Sequence, residues 1–326
     1  METKVKRRLA KLFEEAEANR KCATCPPDSP NRKAILRRIP HDITSPARGM
    51  YARTAHWSNL SRTEKAMHIA RTLAELHPTW VFCGPTAAAA HQLETPQTLL
   101  ANTYIVSKCA SNPSSTIRRL DSTGFEPCVA QGIPVTDPLT SAIDCLRIGS
   151  FPESLAIADS TLRKLSMLHS DFEKEAFVRL KGKHRAREGR RAARYASALS
   201  ENGGESYARG VMIEEGFCIP RLQVEIPDPI EPGRSYRVDY LWTAVDGTPI
   251  IGELDGRDKL RDPDMLKGRT LEDAVRAERT RESRLSITGA RIFRFTFEDV
   301  LNRRRFASTL QAFGVPFAKR RGGNAQ

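Results

Sequence analysis

Apolar and polar residues alternate most regularly in the last third of the chain. Residues 222–226 alternate with the period of two that marks a half-buried strand, and residues 236–242 read as a second strand. Residues 249–254 read as a third, with Val238, Tyr240, Ile250 and Ile251 as its buried neighbourhood. Between the second and third lies AVDGT, whose Asp-Gly pair is a hairpin signal. GGESYARGVMIEEG, before these strands, reads as a helix that closes at Gly216. Residues 271–287 form a long charged helix ended by Gly289, and residues 291–297 a fourth strand. The predicted order is therefore helix, three strands, helix, strand.

The first half is more mixed. Leu9, Leu12, Phe13 and Ala16 share one helical face, and CPPDSPNRK breaks that helix. Residues 35–52 follow as a helical segment and a strand-turn-strand, the pattern of a small winged-helix-like module over residues 1–55. Over 61–76, Ala66, Ile69, Ala70, Leu73 and Leu76 share a face, and Ser61 with Glu64 forms a capping box. TWVFCGPTAAAAHQL reads as strand, Gly-Pro turn and Ala-rich helix; residues 103–106 and IPVTD read as strands, and 138–146 and 154–165 as helices. His91, in the Ala-rich helix, reads as a packed histidine. Five regions result: 1–55, a mixed α/β region 56–170, a basic linker or helix 171–196, a compact α/β unit 197–315, and a basic flexible tail 316–326.

Composition shifts attention to partners. With 326 residues, a formal charge of +13 and 28% charged residues, the chain is suited to a polyanion. RLKGKHRAREGRRAAR carries eight Lys or Arg in sixteen positions. It is either a solvated face or a phosphate-contacting segment, with Arg185, Arg187, Arg190 and Arg191 as the contacts. An apolar run long enough for a membrane helix is absent, as is a signal-peptide stretch, so a cytoplasmic location without membrane contact is expected. The seven cysteines are odd in number and irregularly spaced; Cys22 and Cys25 have no second ligand pair for zinc.

The candidate chemistry is acidic. Glu253 and Asp255 lie two apart on a strand and so share a face. If the hairpin loop is Asp246, Gly247 and Thr248, Val245 pairs with Pro249, and Asp239 comes to lie opposite Asp255 and Leu241 opposite Glu253. A two-residue loop would set Asp239 opposite Leu254 and break the cluster. Carboxylates so close need a proton or a cation between them, and Mg²⁺ takes such oxygen ligands. Glu205 could add a carboxylate, Gln223 could assist, and Lys259 could offset charge or orient water. A structural ion-pair network with Arg237, Arg257 or Arg294 is the competing reading.

GESYARGVMIEEGF, PRLQVEI, YRVDYLW, IIGELDGRDKL and AERTRESRLSITGARIFRF together resemble the Vsr-like (very-short-patch-repair-like) endonuclease domains of the PD-(D/E)XK superfamily over about 110 residues. The resemblance implies an α-β-β-β-α-β domain in an α+β chain and DNA phosphodiester hydrolysis with Mg²⁺ or Mn²⁺. It implies metal ligands at Asp239, Glu253 and Asp255 and catalytic support from Glu205 and Lys259. Asp255 stands where the superfamily usually has lysine, and Lys259 where many relatives have histidine. The arginines of the charged helix, Arg279 and Arg281, would touch DNA phosphate or brace the acids. In the first half, RGMYA, Trp57 with Leu60, VFCGPTAAAAHQL, GIPVTDPLTSAIDCL and ESLAIADSTLR resemble the AbiEi-type antitoxin and transcriptional regulator family. That resemblance implies a winged helix over residues 1–55, a cognate toxin or defence-system partner, and a regulator whose nuclease-like domain is inactive as the alternative function.

Overall fold

The structure, a computed structural model, describes residues 2–109, 115–255 and 270–318. It is a mixed α and β chain, as the residue patterns predict. None of the described helices is long and apolar enough to cross a membrane.

The amphipathic helix Glu2–Ala18 buries Leu9, Phe13 and Ala16 against a three-stranded antiparallel sheet. In that sheet Met50–Arg53 lies between Ala23–Thr24 and Ile43–Ala47. Helix Arg32–Leu36 inserts Ile35 into the same core. Cys22 and Cys25 are both buried free thiols here, and burial pushes the Cys22 thiol up to about 11.

In the next region, Ser61 caps helix Arg62–Leu76 by accepting from the Glu64 amide. The Ala-rich helix Gly84–Ala90 is buried along its whole length. The strand expected just before it is reduced to bridges from Phe82 to Ile105 and Val135, because Cys83 already caps the helix. Two strands that the pattern did not predict, Ile117–Leu120 and Pro127–Ala130, pair with Thr103–Val106 and Ile133–Thr136. His91 is a packing histidine, with Nε2 2.8 Å from the Thr136 carbonyl oxygen.

Helix Phe151–Leu165 is the hub. It opens with a capping box from Ser150 and Glu153 and is buried on nearly every side. The basic stretch is no extended linker: it forms helices His169–Arg179 and Ala186–Arg194, packed on the hub through Phe172, Ala176, Leu180, Ala192 and Ala193. Gly189 permits this approach, since a Cβ there would lie 2.8 Å from Leu180 Cδ1.

The last unit has the predicted order: helix Gly203–Glu214, strands Arg221–Pro227, Ser235–Thr243 and Pro249–Asp255, helix Leu271–Ser286 and strand Arg291–Thr296. Two short helices, Phe297–Leu301 and Arg303–Ala312, follow. Arg291–Thr296 is an edge strand parallel to Pro249–Asp255, and the remaining neighbours are antiparallel, leaving Arg221–Pro227 at the other edge. One face packs Tyr240, Trp242, Ile250, Phe293 and Phe295 against Ala208, Val211 and Met212 of helix Gly203–Glu214. The other packs Tyr236, Val238 and Ile251 against Leu285 of the charged helix.

Contacts cross two of the boundaries drawn from the sequence. Helix Gly203–Glu214 packs on the hub across position 197: the Gly210 backbone is so near Pro152 that a Cβ would lie 2.6 Å from its Cα. Arg209 and Asp159 form a buried ion pair there, with exposures of 3% and 0%. At position 316 the Cys218 amide donates to the Pro316 carbonyl, that of Ala318 to the Gly216 carbonyl, and Phe317 stacks on Phe217.

Candidate acidic site

The site forms where the sheet changes the direction in which its side chains point. In strand Arg221–Pro227, Leu222 packs with the Gly203–Glu214 face, yet Val224 and Ile226 pack with the charged-helix face. The neighbouring strand does the same: Tyr240 and Trp242 lie on one face, Tyr236 and Val238 on the other. Unbroken alternation would keep all four on one side. The reversal sits at Gln223, whose φ of 50° is left-handed. For a non-glycine residue inside a strand that conformation costs about 1–3 kcal/mol, and such strain concentrates at functional sites.

Gln223 Nε2 bridges two carboxylates. It donates to Glu205 Oε2 at 3.1 Å and to Asp239 Oδ1 at 3.3 Å. Glu205, only 3% exposed, projects from the first turn of its helix, where Asn202 caps its amide. Its side chain also accepts from the Glu201 amide and from Asn202 Nδ2, both at 2.7 Å. The Tyr240 hydroxyl donates to its carbonyl at 2.9 Å. Asp239 Oδ2 accepts from the Leu254 amide at 3.0 Å, so its carboxylate lies in the gap between two strands. Burial, reinforced by the charge of Asp239, pushes the Glu205 carboxyl up to about 7, against the opposing pull of the Glu201 amide.

The hairpin register corrects the sequence reading. Thr243 pairs with Pro249, Ile251 with Leu241 and Gly252 with Tyr240. The three-residue loop is Val245, Asp246 and Gly247, with Gly247 at φ 85° and Ala244 bonded to Thr248. The pairing ends at Gly252 and Tyr240, one residue short of Asp239, and is displaced from the register that was expected to set Asp239 opposite Asp255. The expected register and the observed one differ by two, while Glu253 and Asp255, two apart on one strand, share a face in either.

Glu253 nevertheless faces arginines. Arg281 grips it with both terminal nitrogens, one at 2.9 Å from Oε2. Arg294 approaches the same oxygen to 3.3 Å. Arg294 also reaches Asp255 at 3.8 Å and binds Glu278. Of the predicted ligands, the structure thus ties Asp239 to Glu205 through Gln223, and holds Glu253 and Asp255 in an ion-pair network. Among the described residues, no group of three His, Cys, Asp or Glu side chains is arranged to hold a metal ion. Lys259 and Arg257 lie outside the described residues. Arg237, the other rival partner, instead pairs with Glu201.

The predicted phosphate contacts divide in the same way. Arg185 donates to the carbonyls of Ile148 and Gly149. Arg190 stacks over Phe177 and Arg191 over Phe151, each with the guanidinium 4.0 Å from the ring centre. Arg185 and Arg190 are partly buried, whereas Arg187, Arg191 and Arg279 are exposed. Gln223 also lines a cavity of about 670 Å³ with Arg194, Arg209 and Arg221. Sequence reasoning missed the residues that fix the site helix from outside its own unit. Glu94 accepts from the Gly203 amide and pairs with Arg163, and Arg209 holds Asp159 and the Tyr195 carbonyl. The Gly203-Gly204 pair was the available signal, since a side chain at Gly203 would meet Glu94 at 2.7 Å.

Two uncharacterized proteins of Mycobacterium tuberculosis, from the strains CDC 1551 and H37Rv, are similar to this chain. Each is 28% identical over 162 residues, which is 50% of this chain and 58% of the relative. The chain thus spans little more than half the length of the curated relatives it matches. No protein-family profile and no solved structure matches it.

Proposed function

We propose that this chain is a metal-dependent endonuclease of PD-(D/E)XK type that hydrolyses DNA phosphodiesters, in phage defence or DNA repair. The observation that carries the reading is the pair Glu205 and Asp239, bridged by one neutral amide at a strained strand position. Two carboxylates so placed hold either a proton or a cation, and an all-oxygen donor pair suits Mg²⁺ or Mn²⁺. Asp239 and Glu205 fit as the residues that would hold the ion. Glu253, a ligand by family resemblance, does not fit as it stands, because Arg281 grips it.

A bound Mg²⁺ would supply charge stabilisation at the phosphate. The chain's own residues supply the rest. Glu205 would hold the ion with Asp239, kept in place by the Glu201 amide and Asn202 Nδ2. Gln223 and the Leu254 amide fix the two acids against each other. Exposed Arg187 and Arg279 hold backbone phosphate without reading sequence.

The test is nicking of supercoiled plasmid in Mg²⁺, Mn²⁺ or EDTA. Nicking is expected with either metal, and is expected to vanish in EDTA and in Asp239→Asn. If the wild type binds DNA without cutting it, the second reading takes over: an AbiEi-type regulator, with a winged helix at residues 1–55, a cognate toxin as partner and a retired site. The arginine-bound Glu253 is the observation that favours it.

A further inference from the structure

The cavity beside the acid pair carries chemistry that the pair does not use. It holds about 670 Å³, within the usual range for ligand pockets of roughly 300–1,000 Å³. Residues 194–199 form one wall, and Ile219 with the edge β-strand Arg221–Pro227 forms the other. The lining is of two kinds. Leu199 and Ile219 stay 59% and 54% exposed, an apolar surface that the chain leaves uncovered. Arg194, Arg209 and Arg221 bring positive charge, opposed by Glu225. Asp159 neutralises Arg209, whose Nε has no hydrogen-bond partner. Arg221 is exposed and has no ion-pair partner among the described residues. Arg194, 73% exposed, meets Glu173 at 3.4 Å, a solvent-facing pair of little strength. Two arginines, Arg194 and Arg221, less the charge of Glu225 leave one net positive charge, the complement of a single phosphodiester.

We propose that this cavity is a subsite for one unpaired nucleotide of a nucleic-acid chain, with its base on Leu199 and Ile219 and its phosphate on Arg194 and Arg221. This rests on the reading above that nucleic acid is what the chain acts on. Three features support it. First, a nucleotide needs an apolar surface and a cation side by side, and this cavity lines both. A base stacked inside a duplex cannot enter between two walls, so the nucleotide that does is unpaired. The edge β-strand has no neighbour on one side and so keeps backbone N–H and C=O groups for the edge of the base. Second, helix Ala186–Arg194 exposes Arg187, Arg191 and Arg194 at spacings of four and three, a row of cations along one face that ends at the cavity. Third, the cavity is joined to the acid pair. Gln223 lines it and bonds to both Glu205 and Asp239, and Arg209 lies one turn from Glu205 on the same helix. A nucleotide anchored here sets the adjoining phosphodiester close to the two carboxylates.

The experiment is fluorescence anisotropy of the full chain in EDTA, so that nothing is cut, with a labelled single strand and with the same sequence as a duplex. Circular dichroism shows that each variant is folded. Arg221→Gln is expected to weaken single-strand binding by about five- to tenfold and to lower its salt slope by about 0.7. Leu199→Ala is expected to weaken it by about threefold with no change in salt slope. Both losses are expected on the single strand alone. Arg305→Gln removes the same charge from an exposed position outside the cavity, and less than about a twofold change is expected from it.

Either cavity variant, folded and binding the single strand as the wild type does, overturns the subsite. So does a loss no larger than that of Arg305→Gln, or one equally large on the duplex. A wild type that nicks plasmid in Mg²⁺ while the cavity variants bind as it does removes the subsite and leaves the nuclease. A wild type that binds single strands through the cavity but never nicks keeps the subsite and removes the nuclease. If the wild type binds neither single strand nor duplex, both fall.

Discussion

Replacing Glu205 by glutamine isolates the electrostatics of the acid pair. In the folded chain this carboxyl titrates near 7, against an ordinary value of 4.5, because it is buried beside Asp239. Each pH unit of displacement corresponds to about 1.4 kcal/mol, so the pair is linked to roughly 3 kcal/mol of stability. The sign follows from the direction. A raised folded-state pKa means that folding favours the protonated form. The contribution is therefore complete below about pH 4.5, declines as pH climbs, and is gone above about pH 7. Glu205→Gln cannot ionise and lacks this slope. It also loses one acceptor for the Glu201 amide and Asn202 Nδ2, but that penalty does not change with pH. Urea unfolding in EDTA, followed by tryptophan fluorescence, reads the difference, since Trp242 packs in the same core as Tyr240. The variant is expected to gain on the wild type by roughly 3 kcal/mol between pH 4.5 and pH 8. Parallel stability curves for the two proteins over that range would refute the buried-pair argument.

Two further predictions concern the fixing of the site helix to the hub. Asp159→Ala leaves Arg209 as an unpaired charge at 3% exposure and should destabilise the chain by about 3–5 kcal/mol in urea unfolding. Loss of less than 1 kcal/mol would show that water reaches Arg209 in solution. Gly210→Ala places a methyl group 2.6 Å from the Pro152 backbone, so the helices must part, at a cost of about 1–3 kcal/mol. A thermal melt that matches wild type would mean that the two helices are further apart than described.

How much of this was legible in the residues differs from part to part. Strands and helices of the last unit were readable because each buries one face, and burial imposes a period of two or 3.6. Residues 222–226, 236–242 and 271–287 were predicted to within two residues of Arg221–Pro227, Ser235–Thr243 and Leu271–Ser286. Glu205, Gln223 and Asp239 were named as candidates, although not as one bridged group. Strands such as Ile117–Leu120, a pattern of partly exposed residues including Arg118 and Arg119, gave no periodic signal to read.

The sequence by itself determined which residue types are available and that Glu253 and Asp255, two apart on one strand, share a face. Only the tertiary structure decided who neutralises whom. The left-handed Gln223 joins Asp239 to Glu205 through its side-chain amide, and no local propensity encodes a backbone conformation that the surrounding packing must hold in place. The choice of Arg281 and Arg294 as partners of Glu253, with Asp159 for Arg209, joins residues far apart in the chain. Charge pairs of that kind depend on which surfaces become buried together, and that is settled by the packing of helices against the sheet.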